Sequence, residues 1–393
     1  MADNSPCVVV DLDGTLVRTD LFLEAITRYL RRNLLHCFQL LGWIFRGRHV
    51  AKARIAERVD IDASQLPYES EVIDFLVAAR ASGSTLILAT AAPRKFALAV
   101  ADHLGIFDQV LASDLSRNMK GRHKLAAVRE QIGDQPFVYV GDSNDDLILW
   151  QAAESGVFVN ASRHAGEFRS QSKVRLEINN RAATAASFFR QMRPHQWAKS
   201  ALVLLPLLVS HSYLDVGAVA AAIMAVLSFC LCSSSVYFLN DLLDLHEDRQ
   251  HPTKRNRPLA AGDLTLRQGM IGAGALFAGA VTLALFLPAL FMIWLLSYFL
   301  VSTAYSVYLK KIWAVDTITL AGLYTIRILA GAAAISVVPS FWLLSFSVFA
   351  FLGLAYLKRY VEFSNAPSTT YGRGYSERDS ESLFSLGTAN MTV

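Results

Sequence analysis

The sequence predicts an α/β Rossmann-like domain followed by an all-α bundle of membrane-spanning helices. The chain has 393 residues, which is long enough for two domains. Residues 1–190 carry most of the charge, whereas apolar runs of membrane-spanning length dominate from residue 200 onward. Short β-branched runs that end in polar residues occur in the first half and are typical of buried parallel strands. The formal net charge of +4 is too small to indicate a nucleic-acid partner.

The first predicted strand is CVVVDLDGTLV, a short apolar run that ends in Asp11 and Asp13. Because α/β folds place their sites at the carboxyl ends of parallel strands, these carboxylates are candidate functional groups. If the chain turns after Asp11, one carboxylate can attack phosphorus while the other handles the proton of the leaving group. An acidic turn without catalytic function is the alternative interpretation of this D-x-D-G-T pattern.

Three further segments bring polar groups to the ends of predicted elements. STLILAT ends in Thr90, NMKGRHKLAAV places Lys120 at the start of a helix, and PFVYVGDSNDDL continues from a strand into Asp142. A carboxylate, a hydroxyl, an ammonium and a second carboxylate are the groups that a Mg²⁺-assisted phosphoryl-transfer site needs. Their order along the chain favours such a site over four unrelated polar strand ends.

With these motifs, residues 5–160 resemble the phosphatases of the haloacid dehalogenase superfamily, in particular its phosphoserine-phosphatase-like members. The resemblance implies a haloacid dehalogenase fold in which Asp11 is the nucleophile that forms an aspartyl-phosphate. It also implies that Asp13 is the general acid/base and that Thr90 and Lys120 hold the transferred phosphate.

The same resemblance implies a Mg²⁺ site formed by Asp11, Asp142 and the backbone carbonyl of Asp13. Asp146 fits the supporting carboxylate of the last motif. Lys124 ranks below the lysine four residues before it, because the lysine of this family usually precedes a glycine, as in KG.

Residues 20–70 fall where this family inserts a helical cap, within a domain predicted at 1–165. RYLRRNLLHCFQLLGWIFRGRHVAKARI is apolar over about twelve residues, too few to span a bilayer, and has arginines on both flanks. A basic amphipathic helix of this kind can lie on an anionic membrane surface. An ordinary cap helix packed on the core is the alternative.

Length and apolarity predict about six spans after a polar, arginine-rich linker and surface helix at 166–192. The predicted spans are 200–212, 216–239, 268–286, 288–308, 315–336 and 340–357. The first is short for a spanning helix, so a tilted or broken helix is the alternative there. Loops without Lys or Arg alternate with loops that contain clusters of them. By the positive-inside tendency, the basic loops and the N-terminal domain lie on the cytoplasmic side of the inner membrane.

An acidic stretch, LNDLLDLHEDRQHPTKRNRPLAAG, directly follows the second predicted span. In a continuous helix, Asn240, Asp241, Asp244 and Asp248 lie within about 100° of one another around the axis. Carboxylates gathered on one face repel one another unless a cation lies between them, and oxygen ligands of this kind suit Mg²⁺.

Basic side chains follow this acidic face at Lys254, Arg255 and Arg257. Such cations complement phosphate oxygens, so the stretch predicts a Mg²⁺–diphosphate site, with a solvated charge run beside the membrane as the alternative. Farther along, Asp316 and Arg327 lie within about 20° of the same helix face. An arginine that far inside an apolar helix should face the bundle interior or a water-filled pocket, although snorkelling to the surface is the alternative.

The pattern N-D-x-x-D-x-x-x-D is typical of UbiA-type intramembrane prenyltransferases, which this part of the chain resembles. More narrowly, RPHQWAKS, the acidic stretch and LKRYVE resemble the decaprenyl-phosphate phosphoribosyltransferases, over residues 190–380. That class of enzymes moves 5-phosphoribose from phosphoribosyl diphosphate to a polyprenyl phosphate. The resemblance implies that the product serves as a pentose donor in polysaccharide or cell-wall biosynthesis.

This second resemblance assigns roles to the polar residues of the membrane part. The Mg²⁺ ligands would be Asn240, Asp241, Asp244 and Asp248, and the substrate-binding residues would be Arg193, Lys199, Lys254, Arg255, Arg257, Lys310, Asp316 and Arg327. Prenyltransferases often have two Asp separated by three residues where this chain has only Asp316, which weakens an ordinary prenyl-transfer interpretation. The family usually has nine spans, so a domain at 193–393 is expected to lack the last ones.

The sequence therefore predicts a bifunctional, Mg²⁺-dependent membrane enzyme. Its membrane domain would transfer 5-phosphoribose from phosphoribosyl diphosphate to polyprenyl phosphate, and its N-terminal domain would remove the 5-phosphate. One alternative is an aromatic or quinone prenyltransferase of the UbiA type with a fused phosphatase. The other is a membrane-anchored phosphatase whose helical bundle is inactive.

Overall fold

The structure is a computed structural model. It describes residues 6–33, 35–114, 119–169, 171, 173–179, 184–312, 314–364 and 379–391. Within the predicted linker 166–192, residues 170, 172 and 180–183 lie outside this described part. The chain forms two compact units, one containing Met1–Phe188 and Asp241–Gly269, the other Phe189–Asn240 and Met270–Val393.

Helices account for most of the described chain. In chain order they are α1 Leu21–Arg32, α2 His36–Phe45, α3 Arg48–Arg58, α4 Ser70–Ala81, α5 Arg94–Leu104, α6 Arg122–Ile132, α7 Leu147–Ala152, α8 Ser162–Arg169 and α9 Thr184–Met192. They continue as α10 Leu205–Val209, α11 Val216–Leu243, α12 Leu245–Gln250, α13 Pro258–Ala261, α14 Leu266–Ala284, α15 Ala289–Val307, α16 Val315–Ala334, α17 Phe341–Ser364 and α18 Asp379–Met391. Short 3₁₀ helices are Ala63–Gln65, Asn144–Asp146, Ser212–Leu214, Lys254–Asn256 and Leu309–Lys311, and a longer one is Pro194–Leu204.

The first unit is built on a parallel β-sheet. Its strands are β1 Cys7–Val10, β2 Leu86–Pro93, β3 Gln109–Ser113, β4 Phe137–Gly141, β5 Ser155–Val159 and β6 Val174–Ile178, in the spatial order β3-β2-β1-β4-β5-β6. Side chains of β1 alternate between two cores, with Val8 and Val10 on one face and Val9 on the other. Burial on both faces explains the unbroken apolar run in this strand. The predicted α/β domain is confirmed.

The segment predicted as a helical cap, 20–70, contains α1, α2 and α3. Leu40 is the buried residue of α2, whereas Phe38 and Phe45 on the same helix are 69% and 88% exposed. Such exposure of large apolar side chains favours a lipid-facing surface over an ordinary cap helix packed on the core.

Five described helices are long and apolar enough to cross a membrane: α11, α14, α15, α16 and Phe341–Val361 within α17. This confirms the prediction of an all-α membrane part and makes the chain a multi-pass membrane protein. The predicted span 200–212 is different, because the 3₁₀ helix and α10 occupy it as two short pieces. Pro206 lacks a backbone N–H, which disfavours a continuous α-helix through it, and it lies in the first turn of α10.

The helix predicted over the acidic stretch ends earlier than expected. Helix α11 stops at Leu243, and α12 begins after Asp244. The interruption is small, since the backbone N–H of Asp248 still donates to the carbonyl of Asp244 at 2.9 Å. The acidic residues therefore keep nearly the helical spacing that the sequence predicts.

Candidate functional site

Three carboxylates meet at the carboxyl edge of the parallel sheet. Asp11 follows β1, Asp142 follows β4, and Asp146 lies in the 3₁₀ turn after it. One ligand oxygen from each of the three lies within 4.8 Å of the others. A cluster of hard oxygen donors with this spacing fits a divalent cation such as Mg²⁺.

Lys124 is the cation at the centre of this cluster. Its Nζ lies 3.0 Å from Oδ2 of Asp11 and 3.4 Å from Oδ1 of Asp146. It also donates to the hydroxyl of Tyr139 at 3.1 Å, and that hydroxyl donates to Asp146 at 2.5 Å. The lysine is buried, and its carboxylate partners raise its pKa and keep it charged.

Lys120, the lysine that the family resemblance favours, lies farther out. Its Nζ pairs with Asp145 at 2.9 Å, and both side chains are 56% exposed. Both Lys120 and Lys124 line the same cavity of 420 Å³. The structure thus places Lys124, one helical turn after Lys120, against the predicted nucleophile Asp11. The KG pattern, which favours Lys120, does not indicate this.

Asp13 and Thr90 lie where the sequence predicts, in the wall of that cavity. Asp13 accepts a hydrogen bond from the backbone N–H of Leu21 at 3.0 Å, and burial next to Asp20 raises its pKa well above the usual range. A carboxyl group that holds its proton in this way can donate it to a leaving group. The hydroxyl of Thr90, which is buried, accepts from the backbone N–H of Ala92 at 3.0 Å.

Gly14 permits the close approach of the two strand ends. Its φ is +81°, and a Cβ at this position would lie 2.3 Å from Oδ2 of Asp142. Only glycine fits there, because both the backbone conformation and the space exclude a side chain.

Burial raises the pKa of Asp11 to about 6, and the positive charge of the neighbouring Lys124 opposes this rise.

A second acidic site lies around α12, in the same compact unit. Nη1 of Arg257 lies 3.0 Å from Asp241 and 2.6 Å from Asp248, so one guanidinium bridges two buried carboxylates. This contact shows that the two carboxylates share a face, as the helical spacing predicts. Burial raises the pKa of Asp248 to about 6, and the nearby Arg257 opposes that rise.

Other residues of the predicted diphosphate site are more dispersed. Asp244 pairs with Arg31 of α1 at 3.4 Å, and Arg31 also contacts Glu247. Lys254 contributes positive charge near Asp248, while Arg255 is exposed and forms no ion pair with the cluster in the described part of the chain. Asn240 and Lys310, the remaining predicted members, belong to the other compact unit and are half-buried there.

Within the membrane part, the structure gathers four cations. The pKa of Lys199 is lowered to about 8, first by burial and then by Lys358, Arg327 and Arg193. Arg327 is buried, donates to the hydroxyl of Tyr298 at 2.8 Å, and has an Nε without a hydrogen-bond partner in the described chain. We call these four residues the cationic cluster. Such a concentration of positive charge fits a phosphate group.

Gly331 of α16 helps to place this cluster. A Cβ on Gly331 would lie 2.0 Å from the carbonyl oxygen of Val203, in the 3₁₀ helix that also carries Lys199. The helix carrying Arg327 and the segment carrying Lys199 can therefore pack backbone to backbone. Lys358 is not among the site residues predicted from the sequence, although its position in LKRYVE, directly after the last predicted span, could have indicated it.

Asp316 has a different environment from the one its helical spacing with Arg327 suggests. Arg359 of α17 donates to both of its carboxylate oxygens, through Nη2 at 2.9 Å and through Nε. The hydroxyl of Tyr305 donates to it at 2.7 Å. Asp316 and Arg359 are both buried, so they form an internal ion pair. Nothing in the sequence spacing indicates Arg359 as the partner of Asp316.

Comparison with known proteins assigns a family to each half of the chain. The family model for UbiA prenyltransferases matches residues 201–365, and the model for haloacid dehalogenase-like hydrolases matches 8–150. A Sinorhizobium fredii protein named "Uncharacterized protein y4nM" is 34% identical over 386 residues, which cover 95% of this chain and 73% of that protein.

The chain belongs to the UbiA prenyltransferase family. It is an enzyme that joins a UbiA-type transferase domain to a haloacid dehalogenase-like hydrolase domain. The nodulation protein NoeC of Azorhizobium caulinodans is 37% identical over 193 residues, 48% of this chain and 62% of that protein. The decaprenyl-phosphate phosphoribosyltransferase of Mycolicibacterium smegmatis is 34% identical over 190 residues, 47% of this chain and 59% of that protein. The chain thus spans about three fifths of the length of these two relatives.

Proposed function

We propose that this UbiA family member transfers 5-phosphoribose from phosphoribosyl diphosphate to a polyprenyl phosphate. We further propose that its hydrolase domain removes the 5-phosphate, which yields a polyprenyl-phosphoryl ribose. The observation that carries the proposal is the presence, in one chain, of a phosphatase-type nucleophile site and of the bridged acidic pair Asp241 and Asp248. The name of the Mycolicibacterium smegmatis relative supplies the substrate class.

The acidic site would hold the diphosphate of the donor. Arg257 already lies between Asp241 and Asp248, and the oxygens of these two residues suit Mg²⁺, as would those of Asp244. Bound Mg²⁺ would neutralise the diphosphate as a leaving group. Arg257 and Lys254 would then complement the outer phosphate oxygens.

The cationic cluster would hold the phosphate of the polyprenyl acceptor. A phosphate oxygen of this acceptor must attack the anomeric carbon of the ribose while the carbon–diphosphate bond breaks. Lys199 and Arg327 would orient that oxygen and balance its charge, because Lys199 is half-buried, Arg327 is buried, and both lie among further cations. Lys310 would add a contact to the phosphates, whereas the carboxylate of Asp316 is already balanced by Arg359.

Hydrolysis of the 5-phosphate would use the site at the sheet edge. Asp11 attacks phosphorus and forms an aspartyl-phosphate, while Asp13 gives its proton to the departing ribose oxygen. A water molecule then attacks phosphorus, Asp13 takes a proton from that water, and inorganic phosphate leaves. Lys124 and the hydroxyl of Thr90 would bind phosphate oxygens, with Mg²⁺ held by Asp11, Asp142 and Asp146.

Lys124→Gln should lower kcat for phosphomonoester hydrolysis by about 10²- to 10³-fold, because it removes the buried cation beside the nucleophile. The matched change Lys120→Gln should cost much less, since Lys120 is exposed and pairs with Asp145. Steady-state hydrolysis of p-nitrophenyl phosphate by the full chain in detergent measures both. Equal losses in the two variants, with equal thermal stability, would assign the phosphate-binding role to neither lysine in particular.

We also propose that both reactions occur on the same side of the membrane. We place the hydrolase domain and the basic loops in the cytoplasm, at the inner membrane, by the positive-inside tendency. Both steps would then occur on one side of the membrane, so the phosphoribosylated lipid need not cross the bilayer between them.

The direct test uses membranes that contain the full chain, phosphoribosyl diphosphate labelled in the ribose, polyprenyl phosphate and Mg²⁺. We expect labelled lipid to form and unlabelled inorganic phosphate to be released from it. If labelled lipid never forms, the transferase proposal is wrong. Product formation from an allylic diphosphate and a ring acceptor would instead support the aromatic or quinone prenyltransferase.

A further inference from the structure

The cavity above the phosphatase nucleophile is not built by the hydrolase segment alone. Besides the residues around Asp11 and Lys124, it is lined by Thr265, Leu266 and Arg267. These three lie more than 100 residues beyond the hydrolase family match, where the segment that connects α11 to α14 leads into the first turn of α14. The volume of the cavity, 420 Å³, is in the range of about 300–1,000 Å³ that is typical of small-molecule sites.

This connecting segment is fixed on the hydrolase fold by specific contacts. Arg249 forms an ion pair with Glu24 of α1 at 2.8 Å, and both side chains are about 95% buried. Gly262, with a φ of +79°, lies so close to Arg18 that a Cβ would be 2.5 Å from the Cβ of Arg18. The segment is therefore an integral wall of the pocket.

The start of α14 is equally well defined. The backbone N–H of Gln268 donates to the Thr265 hydroxyl at 3.1 Å, and the N–H of Thr265 donates to the Gln268 side chain at 3.0 Å. This reciprocal pair is a capping box, which sets where the helix begins. Arg267 lies inside this first turn, so its position at the pocket wall is set by the cap.

The cationic side chains of the pocket wall differ in whether a carboxylate pairs with them. Lys124 pairs with Asp11, Lys120 with Asp145, and Arg18 with Glu69 at 2.9 Å. Lys52, the fourth cation, donates to the carbonyl of Ala91. Arg267 is exposed, and within the described part of the chain no carboxylate pairs with it. It is thus available to an anionic group of a ligand.

We propose that Arg267 is a specificity-determining residue that binds a second phosphate group of the phosphatase substrate. The substrate class would be sugar phosphates that carry a phosphomonoester at one end and another phosphate at the other. This inference rests on the proposed function, in which the lipid intermediate has a 5-phosphate and a phosphodiester on the same ribose. The connecting segment of the transferase domain would thereby select the substrate of the hydrolase domain.

The test compares two substrates with the full chain in detergent. Ribose 1,5-bisphosphate carries the second phosphate, whereas p-nitrophenyl phosphate does not. Arg267→Gln should lower the ratio of their kcat/KM values by about 10- to 100-fold, as expected for loss of a charge-assisted contact. Arg267→Lys should restore part of the ratio. The control Arg54→Gln, in an exposed arginine that pairs with Glu57 outside the pocket wall, should leave the ratio unchanged.

The possible failures are distinguishable. If wild-type protein hydrolyses both substrates and Arg267→Gln leaves the ratio unchanged, this inference is wrong and the proposed phosphatase function stands. An equal loss on both substrates assigns Arg267 a purely structural role and also overturns the inference. If wild-type protein hydrolyses neither substrate, the proposed phosphatase function fails, and the role of Arg267 fails with it.

Discussion

Asp11→Asn should reduce phosphomonoester hydrolysis by at least about 10³-fold, because an amide cannot form the aspartyl-phosphate. The side chain keeps its shape, so the protein should fold. Because Asp11 is buried 3.0 Å from the Lys124 ammonium, the change also removes one of the two carboxylate partners of that cation. Hydrolysis of p-nitrophenyl phosphate, followed by trapping of the covalent phosphate on the protein, measures the effect.

Asp145→Asn is the matched control for this change. Asp145 lines the same cavity but is 56% exposed and pairs with Lys120 instead of the buried lysine. We expect it to lose far less activity than Asp11→Asn. Retention of wild-type hydrolysis and of covalent phosphate by Asp11→Asn would exclude Asp11 as the nucleophile.

The paired change Asp241→Asn and Asp248→Asn should reduce transfer from phosphoribosyl diphosphate by at least about 100-fold. Both carboxylates are buried and approach one guanidinium, that of Arg257, at 3.0 and 2.6 Å. Their loss would leave a bound Mg²⁺–diphosphate without its acidic ligands, and even indirect damage to a metal site commonly costs about 10- to 100-fold. Calorimetric titration with phosphoribosyl diphosphate and Mg²⁺ separates weaker binding from slower chemistry.

Asp215→Asn provides the control for the acidic site. Asp215 lies in a loop that contains no Lys or Arg, and its carboxylate accepts a hydrogen bond from the backbone N–H of Gly217. Its replacement should leave diphosphate affinity unchanged. If the paired variant also binds phosphoribosyl diphosphate with wild-type affinity, the acidic site is not the donor site.

Much of the fold could be predicted because burial dictates local sequence. The apolar run of β1 packs on both faces, and five apolar stretches of spanning length became helices. The exception was 200–212, an apolar stretch that forms two short helical pieces, with Pro206 in the first turn of the second. Hydropathy averages the polarity of a whole stretch, whereas a break in a helix depends on single residues.

The sites were predictable to the extent that their members are near in sequence. The spacing of Asp241 and Asp248 placed them on one face, as the shared Arg257 shows. Which lysine reaches Asp11 depended on the start of α6, and one helical turn separates the two candidates. The partner of Asp316 could not be found from spacing, since Arg359 lies 43 residues away on another helix.

The most direct test of the two-step proposal is mass spectrometry of the lipid product made by the wild-type chain and by Asp11→Asn. Both receive polyprenyl phosphate, phosphoribosyl diphosphate and Mg²⁺. We expect the wild type to make polyprenyl-phosphoryl ribose and Asp11→Asn to accumulate the same lipid with one additional phosphate group. Identical products from the two proteins, or no pentose-bearing lipid from either, would contradict it.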